Sequence, residues 1–108
     1  MSPSKTTRTD PTNDRTGRRL KALADPRRRA IVELIRRRGE ETCVCELEGH
    51  FEVAQSTLSH HLKVLREAGL IESRNEGVRT LHRLVPEAFA ELEAWAGRHA
   101  RSRQKIRA

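Results

Sequence analysis

The sequence has no tyrosine, one tryptophan and two phenylalanines, so Phe51, Phe89 and Trp95 are all its aromatic residues. Apolar residues make up 35% of 108 and charged residues 34%, which fills one modest core and leaves no material for a second domain. Long composite enzymes are excluded, and a second subunit is expected to help complete the core. No apolar run approaches the ~20 residues that a membrane span needs. Residues 1–20 carry no apolar stretch that reads as a secretory signal. There is no internal repeat and no phosphate-cradling glycine loop. Cysteine occurs twice, at Cys43 and Cys45, too close together to staple a fold. Such a pair suits a reducing cytoplasm, where neighbouring thiols are more often ligands or redox centres than structural bridges.

What the chain does have is positive charge: 22 Lys and Arg against 15 Asp and Glu, a net +7. The excess lies at both ends and along the middle-to-late region, around a near-neutral body. Nucleic acid or an anionic membrane surface is the first candidate partner of such a chain, with plain solubility as the bland reading.

Residues 1–14 are Ser, Thr, Pro and charge without apolar periodicity, and read as a disordered tail. Leu20 and Leu23 at helical spacing predict a short helix over 15–24. Asp25-Pro26 is a cap followed by a first-turn proline, opening a helix over about 27–38 with Ile31, Val32, Leu34 and Ile35 as its stripe. Its basic last turn and Gly39 end it. Residues 43–49 predict a helical turn or short helix, and 55–68 a helix with Leu58, Leu62 and Leu65 on one face. Strands at 70–74 and 79–85 flank Asn75-Glu76-Gly77, a hairpin turn. Pro86 opens a last helix to about 99 with Ala88, Phe89, Leu92, Trp95 and Ala96 on one face, and 100–108 is a basic tail. The fold class is therefore mainly α with a small β-hairpin, and the ordered domain is 15–99.

A short helix, a turn, a helix with a polar outer face and a basic hairpin follow one another in the order of a winged helix-turn-helix. A helix that reads the major groove must offer short hydrogen-bonding side chains to base edges. Gln55, Ser56, Thr57, Ser59 and His60 meet that need, while Lys63, Arg74 and Arg79 suit phosphates, which fix register. The bland reading is an ordinary solvated helix face. His60 and His61 point about 100° apart on a helix and do not chelate one ion.

The stretches LADPRRRAIVELI, TCVCEL and QSTLSHHLKVLREAGLI, followed by a hairpin, resemble the ArsR/SmtB family of metal- and metalloid-responsive repressors over about residues 16–96. The resemblance implies a homodimeric winged helix that binds double-stranded operator DNA, with first and last helices at the dimer interface and Leu20, Leu23, Phe89, Leu92 and Trp95 in or beside it. The apolar faces of those helices also exceed what a thin core needs. One departure is Ala54, where a Ser-like cap is usual; Ser56 is expected to cap the helix instead.

Thiolates are soft ligands. In a regular helix, residues two apart point about 200° apart, so Cys43 and Cys45 would close on one ion only if the helix unwound locally. In an extended segment they share a face. Two small core hydrophobes is the bland reading. The resemblance assigns TCVCEL to the arsenical-responsive branch, in which Cys43 and Cys45 bind As(III) or Sb(III) as inducer and DNA is released. A third thiol found in some members is replaced by Glu48, so solvent, a cellular thiol or a partner-chain cysteine would complete the coordination. No resident cofactor is expected. Zn(II), Cd(II) or Pb(II), or oxidation of the same thiols, is the alternative signal. Direct disulfide closure would make a tight ring, which favours sulfenic acid or an intersubunit bond instead. An enzyme using a Cys nucleophile with His50 or His60 lacks the sequence for a pocket.

Overall fold

The computed structural model describes residues 14–39 and 41–103. Its elements are α1 (Arg15–Leu23), α2 (Pro26–Arg38), β1 (Thr42–Cys43), α3 (Val44–His50), α4 (Gln55–Glu67), β2 (Ile71–Glu76), β3 (Arg79–Leu84) and α5 (Pro86–Ala100). The expected tails fall largely on 1–13 and 104–108, outside the described residues.

The ends of α2 are fixed locally. The Asp25 carboxylate accepts from Arg27 N at 2.8 Å, Pro26 occupies the first turn, and Gly39 takes φ 79°, donating to Ile35 O and Arg36 O. A side chain at Gly39 would be strained in that left-handed conformation. Ile31, Val32, Leu34 and Ile35 of α2 meet Leu58, Leu62 and Leu65 of α4, Leu47 of α3, and Leu70 and Ile71 in one buried cluster. The two central helices are therefore held by their inner stripes, leaving the outer face of α4 to solvent.

The sheet has the antiparallel order β1-β3-β2. β1 differs from expectation. Thr42 pairs with His82 and Cys43 with Leu81, so Cys43 is an extended strand residue and α3 begins at Val44. A two-residue strand has no periodicity to read; its partner β3 imposes it. The hairpin turn also lies one step later than expected. Glu76 pairs with Arg79, so Gly77-Val78 is the turn, and Asn75 and Glu76 belong to β2. Gly77 has φ 65° and Val78 does not have positive φ, the pattern of a type II′ turn.

Alternation along the strands sorts the sheet into two faces. Ser73, His82 and Thr42 are in one cross-strand row, and Arg74, Leu81 and Cys43 in the next, on the opposite face. His82 shares a 2.7 Å hydrogen bond with Ser73 Oγ. Thr42 Oγ1 is fully buried and has no partner among the described residues.

α1 carries an inversion that sequence reasoning missed: Arg19 is buried while Leu20 is 40% exposed. Arg19 Nε donates to Ala68 O at 3.2 Å, and its Nη1 pairs with Glu91 of α5.

Candidate nucleic-acid interface and thiol pair

On α4 the expected polar face is intact. Gln55, Ser56, Ser59, His60 and Lys63 are exposed and Thr57 is half-buried. Among the described residues, the side chains of Gln55, Ser56, Thr57, Ser59 and Lys63 have no hydrogen bond or ion pair, so they keep their donors and acceptors for an external partner. The expected Ser56 cap is not formed: α4 starts at Ala54 in extended conformation, with no side-chain cap. Ser56 lies inside the first turn, where its hydroxyl cannot take the cap position.

The two adjacent histidines separate, as their angular spacing requires. His60 faces out and His61 is buried. His61 Nδ1 is 3.3 Å from Arg28 Nη1, and its buried Nε2 has no partner among the described residues. Burial pushes the His61 pKa below its ordinary value, with Arg28 adding to the effect and Asp25 opposing it. His61 thus belongs to the α2–α4 contact, a role that only its position beside Leu58, Leu62 and Leu65 could have signalled.

The basic residues of the hairpin are not equivalent. Arg79 is exposed and has no ion pair among the described residues. Arg74, expected to face phosphate, is ion-paired: its Nε and Nη2 each donate to one oxygen of Glu41 at 2.7 Å, and Glu76 lies 3.8 Å away. Arg83 is held by Glu72 at 2.8 Å. Glu41 escaped the sequence analysis because it precedes a strand too short to see.

Cys43 caps α3. Its Sγ accepts from Cys45 N at 3.2 Å, while Glu46 Oε1 accepts from Cys43 N at 3.0 Å, a reciprocal capping box. Cys43 is buried and Cys45 exposed. The two Sγ atoms are in disulfide contact with Cα atoms 5.3 Å apart. Direct pairing was not expected from a spacing of two. It arises because Cys43 is extended and Cys45 helical, so the backbone turns between them. For the same reason the two sulfurs can face one ion without unwinding α3, which corrects the helical-spacing argument. Among the described residues, no three His, Cys, Asp or Glu side chains gather as a metal site, and no helix is long and apolar enough to cross a membrane.

Of the expected interface residues, Leu20 is exposed, Leu23, Phe89 and Leu92 pack half-buried on the core, and Trp95 lies half-buried with its ring centre 4.9 Å from that of His99.

Residues 25–73, from the cap of α2 into the hairpin, match the bacterial regulatory protein, arsR family. A crystal structure of a possible transcriptional regulator for arsenical resistance superposes with a TM-score of 0.67 at 37% identity, covering 75% of this chain and 82% of that one. The chain belongs to the ArsR family. An arsenical resistance operon repressor of Bacillus subtilis is 45% identical over 69 residues, which are 64% of this chain and 65% of the repressor; the match thus spans just under two thirds of that relative. A homodimeric winged helix-turn-helix DNA-binding domain of Mycobacterium bovis, solved by NMR as a possible ArsR-family regulator, has a TM-score of 0.67 at 27% identity over 99% of this chain and 97% of that one. The hairpin of this ArsR-family chain is accordingly its wing, and α3–α4 its helix-turn-helix.

Proposed function

We propose that this ArsR-family protein is a cytoplasmic transcriptional repressor that binds operator DNA as a homodimer and releases it when As(III) or Sb(III) binds Cys43 and Cys45. The observation that carries the reading is the meeting of the two sulfurs at the seam between β1, which pairs with the wing strand β3, and α3, the helix that precedes α4. In that position one ligand bridges β1 and α3, the neighbours of the wing and of α4. With arsenous acid, two thiols form two As–S bonds, and their protons leave with two As–OH groups as two waters. The remaining As–OH, a cellular thiol or a partner-chain cysteine completes the pyramid. Cys43 also pairs with β3 through Leu81, so a shift of its backbone is felt by the wing as well as by α3.

DNA readout is assigned to Gln55, Ser56, Thr57, Ser59 and His60 at base edges, with Lys63 and Arg79 on phosphates. Dimerisation is assigned to the α1 and α5 faces bearing Leu20, Leu23, Phe89, Leu92 and Trp95, with recognition helices about 34 Å, one DNA turn, apart. Light scattering tests the dimer, and a monomer at micromolar concentration with undiminished operator binding would contradict it. The curated and structural relatives named for arsenical resistance support the ligand class, and the exposed polar face of α4 supports the partner.

Operator-fragment binding with and without arsenite, under reducing agent, tests the switch. Wild type should release DNA; Cys43→Ser and Cys45→Ser should bind DNA and ignore arsenite, because an oxygen ligand is too hard a substitute for a thiolate. Release is a coupling: a ligand that weakens DNA binding tenfold binds the free protein tenfold more tightly, about 1.4 kcal/mol. Arsenite release by the double Ser variant would move the sensor elsewhere. Disulfide contact between the sulfurs favours a second reading, thiol oxidation, and a peroxide arm without reductant separates it from metalloid binding.

A further inference from the structure

The wing carries three arginines on one face. Strand alternation and register put Arg74, Arg79 and Arg83 on the same side of β2 and β3 as Cys43. Arg79, next to the turn, is unpaired among the described residues, and Arg83 is bound to Glu72. Arg74 differs from both, because its partner is not a neighbouring wing residue. Glu41 reaches it from just before β1, two residues ahead of Cys43, and takes both donors of the guanidinium fork. The pair polarises both members: Arg74 holds the Glu41 carboxyl below its usual range, and Glu41 raises Arg74.

A guanidinium fork fits a carboxylate and a phosphate in the same way, so Arg74 cannot serve both at once. The Arg74 side chain is half-exposed, and an exposed ion pair is only marginally favourable. A DNA phosphate gains next to nothing by exchanging for Glu41 at the same fork, so the contact goes unmade. On the DNA-binding reading above, we propose that Glu41 is an internal competitor of DNA, occupying the Arg74 fork that would otherwise take a backbone phosphate. The wing thereby withholds one phosphate contact per subunit. Glu76 is a weaker bystander, 3.8 Å from Arg74.

The test is the salt dependence of binding to a random-sequence duplex, where phosphate contacts dominate, for wild type, Glu41→Gln, Arg74→Gln and the double variant. Glu41→Gln should tighten binding about two- to fivefold and steepen the slope of log K against log salt by about 0.9 per subunit. In the Arg74→Gln background the same change should do nothing. Unchanged or weaker binding by Glu41→Gln overturns the proposal. So does an equal gain with and without Arg74, since Glu41 would then act only as a general negative charge. A wild type that binds no duplex even at low salt overturns the DNA-binding reading and this proposal with it.

Discussion

The outer face of α4 and the outer face of the wing are both polar, exposed and rich in donors, yet they are built in opposite ways. On α4 the side chains from Gln55 to Lys63 that face solvent have no ion pairs among the described residues. On the wing, Arg74 and Arg83 are each held by a glutamate, and Arg79 has no ion pair among the described residues. Polar composition alone would treat the two surfaces alike. Their internal pairing leaves the donors and acceptors of α4 open, whereas the wing has already satisfied most of its charge except near its turn.

That contrast can be broken in order of expected effect. The inner stripe of α4 sets the upper end: Leu65 is fully buried, and Leu65→Ala should cost ~2–5 kcal/mol through lost contacts and a cavity, seen as a lower midpoint in denaturant. The outer face should behave in reverse. Ser59→Ala or His60→Ala should leave stability within about 0.5 kcal/mol yet cost ~1–3 kcal/mol of discrimination between operator and random DNA, read by competition binding. Arg79→Ala should weaken both kinds of DNA alike and reduce the salt slope by about 0.9 per subunit. If Arg79→Ala changed specificity while Ser59→Ala did not, the division between helix and wing would be reversed.

The smallest effect is with pH. Burial lowers the pKa of His61 and His82, so the unfolded chain binds protons more readily than the folded one. Stability should be full above the ordinary histidine value of 6.5 and fall as pH drops below it. The lowered Asp25, Glu41 and Glu91 carboxyls add a second loss at more acidic pH, as they protonate. Thermal midpoints across this range check the two steps, and His61→Gln should flatten the first while leaving the Glu41 and Glu91 part of the second in place.

Much of this was legible in the residues. α2 declares itself through Asp25-Pro26, its apolar stripe and Gly39, and α4 through three leucines on one face. The illegible parts share a cause: they depend on partners distant in the chain. β1 exists because β3 lies beside it. Arg19 is buried because Glu91 and Ala68, far along the sequence, supply acceptors, whereas local pattern points an arginine outward. The Cys43–Cys45 geometry follows from a strand-to-helix junction that falls between the two residues, where a periodic reading assumes a single element.

Arg19 has a mechanical consequence. One planar guanidinium grips a carboxylate on α5 and the carbonyl at the end of α4, while its own backbone belongs to α1. Three helices thus meet at one guanidinium. A rotation of α1 against α5 would therefore load the end of α4 through the same side chain. If the subunits meet through α1 and α5, as proposed, the angle between them and the orientation of α4 are coupled through this one side chain.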